Sequence, residues 1–230
     1  MHRIQLAAAA ITLCCPCAFA DPVFFDDFDG NKLQPWWGFF SECGAMEYTV
    51  EDSLFKVTRI YKVQPCELTA VLMGAEFEEQ LDFDMTAIMG WDEGSAQAMG
   101  MWAPRTGGQV LGAIGYRVSP GQAPVIVAEV VGDTHKSIEI PAPPPGLYEF
   151  RLTRTGKWTR AYFEGQLLVE VQANNYVFPL LGTEFVFDGP DSDEFSTLYV
   201  DRITVTPAPG TLAVLLAGAY GASRRTRRSV

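Results

Sequence analysis

The sequence has few of the residues that usually bind zinc or act as nucleophiles. Its 230 residues include 2 histidines and 5 cysteines, and three of those cysteines fall within the first 20 residues. The rest of the chain keeps His135, Cys43 and Cys66. Zinc sites take roughly three or four such ligands, so we expect no zinc. A Ser-His-Asp triad would have to use His135, which sits in the polar segment Gly132–Lys136 and is better interpreted as an exposed loop residue.

Positive charge is also scarce. The chain has 17 Lys and Arg residues against 28 Asp and Glu residues, a formal net charge of −11. Residues 21–206 hold all 28 acidic residues and 12 of the basic ones, so this part carries a net charge near −16. A field of that sign repels nucleic acid and anionic lipid, so we expect neither as a partner. No nucleotide cofactor is expected either.

The first 20 residues have the pattern of a secretory signal peptide. Arg3 precedes the apolar run Ile4–Leu13, and Ala18-Phe19-Ala20 has the small-residue spacing of a cleavage site. We therefore expect an exported protein with a signal peptide over residues 1–20, one folded domain over 21–206 and a C-terminal segment over 207–230.

In an oxidising compartment the two remaining cysteines, Cys43 and Cys66, are predicted to form one disulfide. The bridge would close a loop of about 24 residues and stabilise the fold by about 3 kcal/mol in the chain-entropy treatment. The alternative is a pair of free buried thiols.

The central part of the chain has no strong helical period. Short runs rich in Val, Ile, Phe, Tyr and Thr alternate instead with Gly, Pro, Asp and Asn, which indicates an all-β fold. The run from Leu147 to Gln172 predicts three consecutive antiparallel strands, with a turn at Glu164–Gln166 in which Gly165 takes a positive φ. The predicted strands are Val23–Phe28, Tyr48–Val50, Leu54–Ile60, Thr69–Leu72, Gln80–Ile88, Gln97–Trp102, Val110–Val118, Val125–Val130, Ser137–Ile140, Leu147–Thr153, Lys157–Glu164, Gln166–Gln172, Thr183–Phe187 and Ser196–Thr206. So many short strands in one domain predict a two-sheet sandwich.

Three segments resemble the concanavalin A-like lectin and glucanase domains. Phe25–Leu33 (FDDFDGNKL) is similar to their opening motif, Tyr148–Leu167 to their strand–turn–strand hairpin, and Leu198–Val205 (LYVDRITV) to their closing strand. The segments follow in the expected order. The resemblance implies a two-sheet antiparallel jelly-roll sandwich.

The same resemblance suggests where carboxylates would catalyse glycoside hydrolysis. The related glucanases carry their acids as E-x-D-x-E or E-x-D-x-x-E on one strand face, and the nearest segment here is Glu78–Met85 (EEQLDFDM). The period of a strand would put Glu78, Asp82 and Asp84 on one face, about 6.6 Å apart for neighbours two residues along. Because Gln80 replaces an acid of the motif, the alternative is a solvated polar sheet face without catalysis.

Aromatic side chains give a binding interpretation. Trp91, Trp102 and Tyr116 lie in or beside the middle strands, where exposed rings stack on sugars. The alternative for each ring is a place in the core. In the related domains a structural calcium ion commonly joins the first segment to the last strand, and the matching residues are Asp27 and Asp201. The alternative is that both carboxylates are solvated or accept hydrogen bonds from turn amides.

The C-terminal segment resembles a PEP-CTERM sorting signal. A proline motif with Pro207 and Pro209 precedes the apolar stretch Thr211–Ala222, and a basic cluster of Arg224, Arg225, Arg227 and Arg228 ends the chain. A helix of the apolar stretch would reach about 18 Å against a hydrocarbon core of about 30 Å, short for a permanent span. The resemblance implies transient anchoring in the inner membrane and processing by an exosortase-type enzyme. The alternative is a plain C-terminal membrane anchor.

Together these observations predict an exported, surface-sorted sandwich domain that binds a carbohydrate or a matrix component without catalysis. One alternative is a glycoside hydrolase or lyase that uses Glu78, Asp82 or Asp84. The other is a purely structural protein of the envelope or matrix.

Overall fold

The structure is a computed structural model of the chain. It describes residues 24–35, 37–41, 46–59, 70–78, 82–92, 98–104, 110–119, 121–172, 180–188 and 197–207. The predicted signal peptide, the predicted disulfide between Cys43 and Cys66, and the C-terminal segment from residue 208 onward lie outside the described residues.

The described residues form fifteen β-strands and no α-helix, as the sequence predicts. No helix among them is therefore long and apolar enough to cross a membrane. The strands are β1 (Phe24–Asp26), β2 (Gly38–Ser41), β3 (Met46–Glu51), β4 (Leu54–Arg59), β5 (Ala70–Glu78), β6 (Phe83–Trp91), β7 (Ala98–Pro104), β8 (Val110–Arg117), β9 (Val125–Val131), β10 (His135–Pro141), β11 (Gly146–Thr155), β12 (Trp158–Phe163), β13 (Gln166–Gln172), β14 (Leu180–Asp188) and β15 (Thr197–Pro207).

The strands form two antiparallel sheets. The eight-stranded sheet has the order β13-β12-β11-β6-β15-β4-β3, with β1 also pairing to β15. The seven-stranded sheet has the order β10-β9-β8-β7-β14-β5-β2. The non-consecutive neighbours mean that the chain repeatedly crosses from one sheet to the other. This is the two-sheet jelly-roll sandwich that the sequence predicts.

The core lies between the two sheets because the strands alternate between buried and outward residues. In β9 the burial alternates at every position from Val125 to Val131, and β12 alternates in the same way. The largest fully buried side chains come from both sheets, and each contributes about 1.5–3 kcal/mol relative to an exposed position. They are Phe55, Phe83, Phe150, Met89, Met99, Met101 and Ile114.

The predicted meander is confirmed. Strands β11, β12 and β13 follow one another in the eight-stranded sheet. Glu164 and Gly165 both have positive φ, 49° and 72°, which is the geometry of a tight two-residue hairpin turn. The turn matches the right-handed twist of the two strands, so the sequence determines their register.

Three predictions about individual segments are wrong. Strand β2 is absent from the sequence prediction because four residues are too few to show a period of two. The predicted strand Gln80–Ile88 begins at Phe83 and continues to Trp91. His135 is the first residue of β10, not a loop residue; its side chain is 59% exposed and its Nε2 lies 2.8 Å from Oε1 of Glu129.

Candidate functional site

Trp102 lies on the outer face of the seven-stranded sheet, the face turned away from the core. In β7 Met99 and Met101 are buried between the sheets, so Gly100 and Trp102 belong to the opposite face. The indole ring of Trp102 is half-buried and lies along its own strand over Gly100. A Cβ atom built on Gly100 would stand 3.2 Å from Nε1 of the indole.

Small residues lie beside this ring on its β8 side, whereas Glu184 of β14 pairs with Trp102 on the other side. Ala113 pairs with Trp102 and Gly115 pairs with Gly100 across the β7–β8 ladder. A Cβ atom on Gly115 would lie 2.0 Å from the carbonyl oxygen of Met99, so no side chain fits there. We call Trp102, Gly100, Ala113 and Gly115 the Trp102 platform. It combines a half-buried aromatic ring with two β8 residues, Ala113 and Gly115, that carry no side chain larger than a methyl group.

Charged side chains border the platform on the β9 and β10 side. Glu129 pairs with Ala113 in β9, and its side chain is 44% exposed. Arg117, at the end of β8, forms an ion pair with Glu139 of β10. The platform therefore combines an aromatic face with carboxylate oxygens that accept hydrogen bonds, which is the pairing that sugar rings and their hydroxyl groups require.

Two of the three aromatic residues predicted to bind ligand lie in the core instead. Trp91 and Tyr116 are each 3% exposed. Their rings stack with centroids 4.1 Å apart, and Tyr148 stacks on Trp91 at 5.2 Å. Burial raises the pKa of Tyr116 to about 12. Sandwich cores take up large aromatic rings, so of the three only Trp102 stays partly accessible.

The carboxylates predicted to share one strand face are separated by the fold. Glu78 is the last residue of β5 in the seven-stranded sheet, whereas Asp84 belongs to β6 in the eight-stranded sheet. The chain crosses between the sheets within this segment, so a single period of two does not run through it. The single-strand prediction for Glu78, Asp82 and Asp84 is therefore wrong.

Two of these carboxylates hold the eight-stranded sheet together. Oδ1 of Asp82 accepts a hydrogen bond of 2.7 Å from the backbone N–H of Gly156, in the turn between β11 and β12. Asp84 accepts two hydrogen bonds from Arg151, one of them 2.7 Å from Nε. The hydrogen bond to Asp84 is the main cause of the raised pKa of Arg151.

The first strand carries a buried carboxylate that the sequence did not reveal. Asp26 is 5% exposed; Oδ1 accepts a hydrogen bond from the N–H of Phe28 at 2.8 Å, and Oδ2 accepts one from Nε1 of Trp37 at 2.6 Å. Asp26 belongs to the sequence DDFD at the start of the domain, in which the calcium prediction names the next aspartate, Asp27. Asp26 thereby fixes the first strand to the tryptophan after it.

The residues predicted to bind calcium offer few ligands by themselves. Asp27 and Asp201 are both half-buried, and Asp27 accepts a bond of 3.3 Å from the N–H of Asp29. Within the described ranges no three His, Cys, Asp or Glu residues lie together as a metal site. Calcium takes about six to eight oxygen ligands, so this carboxylate set does not fit the ion without carbonyl groups and water.

The fold belongs to the class of concanavalin A-like jelly-roll sandwiches, as the sequence resemblance implies. No protein-family model matches the sequence, and no curated protein matches it significantly. Several solved structures share the fold. A laminarinase from Rhodothermus marinus is 13% identical, with a TM-score of 0.63 over 82% of this chain and 97% of that chain.

Two further structures show how widely the fold is used. An endo-β-1,3-glucanase from Pyrococcus furiosus is 13% identical, with a TM-score of 0.62 over 82% of this chain and 94% of that chain. The CBM2 module of the evolved Dit protein of Lactobacillus casei BL23 phage J-1 is 11% identical, with a TM-score of 0.62 over 82% and 96% of the two chains. At these identities the similarity establishes the fold, and the function must be argued from the site.

Proposed function

We propose that the domain recognises a polysaccharide on the Trp102 platform. The observation that carries the proposal is the partly exposed indole of Trp102 on an outer sheet face, over Gly100 and beside the small residues Ala113 and Gly115 of β8. Similarity to laminarinases and to a CBM2 module supports carbohydrate as the ligand class. A β-1,3-glucan is the first substrate to test.

The test is affinity electrophoresis of the purified chain in gels containing laminarin, a β-1,3-glucan. Trp102→Ala removes the stacking surface, and we expect an affinity about two- to tenfold weaker, because stacking on an aromatic ring contributes about 0.5–1.5 kcal/mol. The matched control is Trp158→Ala, which removes another half-buried tryptophan from the eight-stranded sheet. Equal retardation of wild type and Trp102→Ala by laminarin would refute the assignment of Trp102.

A second candidate function is hydrolysis of the bound polysaccharide. The similarity to endo-β-1,3-glucanases favours this candidate over binding without catalysis. Among the residues that the sequence singled out, Asp82 and Asp84 already bond Gly156 and Arg151, so a hydrolase would need acids other than these two in their present contacts. Release of reducing sugar from laminarin supports the hydrolase, and retardation without release supports a binding protein. The absence of both retardation and release would favour a purely structural role.

We further propose that the chain is exported, loses residues 1–20 and is sorted through its C-terminal segment. The support is the signal-peptide pattern and the order of proline motif, apolar stretch and arginine cluster. Strand β15 runs to Pro207, so the sorting segment would begin where the last strand ends. Mass spectrometry of the exported protein should find a C-terminus near Pro209; full-length protein that keeps Arg228 in the envelope would refute the sorting step.

A further inference from the structure

The outer face of the eight-stranded sheet carries a continuous row of side chains across five strands. Phe25 of β1 pairs with Thr204 of β15, and Thr204 pairs with Thr86 of β6. Thr86 pairs in turn with Arg151 of β11, and Arg151 with Tyr162 of β12. We call these five residues the cross-strand row. At about 4.8 Å between neighbouring strands the row is about 19 Å long.

Aromatic rings lie at both ends of the cross-strand row. Phe25 is 46% exposed, one of the largest apolar exposures in the described part of the chain. At the other end the guanidinium group of Arg151 lies 5.3 Å from the centroid of the Tyr162 ring. The two threonine hydroxyl groups between these ends can both donate and accept hydrogen bonds. The row therefore offers an exposed apolar ring at its Phe25 end, hydroxyl groups in its middle and a cation over an aromatic ring at its other end.

A groove runs beside the Phe25 end of the row. It has a volume of about 370 Å³ and is lined by Phe25, Thr86, Ile88, Glu149, Arg202 and Thr204. Arg202 and Glu149 both pair with Ile88, one from each side, so they stand two strands apart, about 9.6 Å. A ligand in the groove would meet a donor on one wall and an acceptor on the other.

The charges of this face balance one another. Asp84 neutralises Arg151 through two hydrogen bonds, and Arg202 faces Glu149 across the groove. The domain as a whole is strongly acidic, with 28 acidic residues in the chain. The negative field would repel an anionic polymer, and the arginines of this face already have carboxylates opposite them. A cationic ligand would find those carboxylates already balanced by the arginines. A neutral ligand rich in hydroxyl groups fits both conditions.

We propose that the cross-strand row and its groove form a second carbohydrate-binding site, for a neutral oligosaccharide lying across the strands with one sugar stacked on Phe25. The site is on the opposite face of the sandwich from the Trp102 platform and shares no residue with it. A chain with both sites binds two polysaccharide strands at once and holds them together. The inference goes beyond the proposed function and does not depend on it.

The test is a titration of the full chain with laminaritetraose, followed by amide NMR. The amides of Thr86 and Thr204 report the second site, and those of Gly100 and Gly115 report the Trp102 platform. We expect both sets to shift in the wild type. Phe25→Ala should raise the dissociation constant measured at Thr86 and Thr204 at least tenfold and leave the value measured at Gly100 and Gly115 unchanged. Phe25→Tyr keeps the ring and should retain binding. Ile138→Ala, which trims another exposed apolar residue in the other sheet, is the matched control.

The outcomes separate the two proposals. Shifts confined to Gly100 and Gly115, or shifts at Thr86 and Thr204 that survive Phe25→Ala, would overturn the second site. Shifts confined to Thr86 and Thr204 support the second site and refute the Trp102 platform. No shift in either set overturns both. Tighter binding of an anionic oligogalacturonate at Thr86 and Thr204 would overturn the assignment to a neutral ligand.

Discussion

The surroundings of Trp102 and of Arg151, on the outer faces of the two sheets, are built from different kinds of side chain. On the seven-stranded sheet Trp102 lies over Gly100 and beside Ala113 and Gly115, so only small residues adjoin the ring on its β8 side. On the eight-stranded sheet long charged side chains bond one another, as in Asp84 with Arg151 and Glu170 with Arg160. The same alternation of buried and outward residues produces both faces, so the core does not explain the difference.

Charged pairs occur on both outer faces, as in Arg117 with Glu139 on the seven-stranded sheet, so the contrast is between the surroundings of Trp102 and those of Arg151. Around Arg151 the charged groups find partners within the sheet, so those residues stabilise the fold locally. Glycine in a strand costs stability, about 0.5–1 kcal/mol relative to alanine, and gives nothing to the packing of an outer face. At Gly115 the cost is required by the close approach of Met99. At Gly100 a Cβ atom would meet the indole of Trp102 instead of the backbone, so this glycine leaves room for the ring of the platform.

The largest expected effect is that of adding one methyl group to Gly115, and the same change at its partner Gly100 is the comparison. In Gly115→Ala the new Cβ would lie 2.0 Å from the carbonyl oxygen of Met99 and 2.6 Å from Cα of Gly100, so the backbone must move. We expect a loss of about 3 kcal/mol in the free energy of unfolding. In Gly100→Ala the nearest atom, 3.2 Å away, belongs to the Trp102 side chain, which can rotate.

Gly100→Ala should therefore lower stability by less than about 1 kcal/mol and still weaken laminarin binding, because the indole is displaced. Urea unfolding measures the first effect and affinity electrophoresis the second. If both variants lose the same stability and both keep full binding, the distinction between a structural and a platform glycine is wrong.

A smaller effect is expected on the inward side of β8, where the buried Tyr116 makes the free energy of unfolding depend on pH. Burial raises the pKa of Tyr116 to about 12, and burial with a hydrogen bond to Asp92 does the same for Tyr199. Below about pH 10 both phenols are protonated in the folded and the unfolded chain, so stability does not change. Between about pH 10 and pH 12 the unfolded chain loses protons that the folded chain keeps, so the free energy of unfolding falls. A shift of this size corresponds to about 2–3 kcal/mol for Tyr116.

Tyr116→Phe should remove that part of the loss and leave the part due to Tyr199. Urea unfolding at pH 9, 10, 11 and 12 measures both. The control is Tyr48→Phe, which removes the hydroxyl group of a tyrosine that is 41% exposed. An identical pH dependence in wild type and Tyr116→Phe would mean that Tyr116 reaches water in solution.

The sandwich itself could be predicted from the sequence because its signals are local. Alternating runs such as Val125–Val131 and the Glu164-Gly165 turn report strand and hairpin directly. Strand β2 is not predicted because its four residues pair, among the described strands, with β5, which is distant in sequence. Which strands share a sheet depends on such distant pairing, and no local period encodes it.

The candidate site was only partly predictable for the same reason. The sequence singles out Trp102, which lies on an outer face, but it groups Trp91 and Tyr116 with it because composition does not show which way a ring points. The phase of β7 could have placed Trp102 outward, since Met99 and Met101 alternate with Gly100 and Trp102, and the phase of β8 could have placed Tyr116 inward with Ile114. The error over Glu78, Asp82 and Asp84 arose because one apparent strand is divided between two sheets.

The smallest expected effect decides whether Asp84 is a structural or a catalytic residue. Asp84→Asn keeps the size of the side chain but removes the charge that bonds Arg151, and we expect a loss of about 1.5 kcal/mol in the free energy of unfolding. The matched control is Asp52→Asn, since Asp52 bonds Lys56 at 3.3 Å while its side chain is 84% exposed. Exposed pairs contribute about 0–1 kcal/mol, so this control should change stability little. Urea unfolding and reducing-sugar release from laminarin are measured on both variants. Stability equal to wild type in Asp84→Asn, together with the loss of a measurable laminarinase activity, would show that Asp84 acts on substrate and that its bond to Arg151 only positions it.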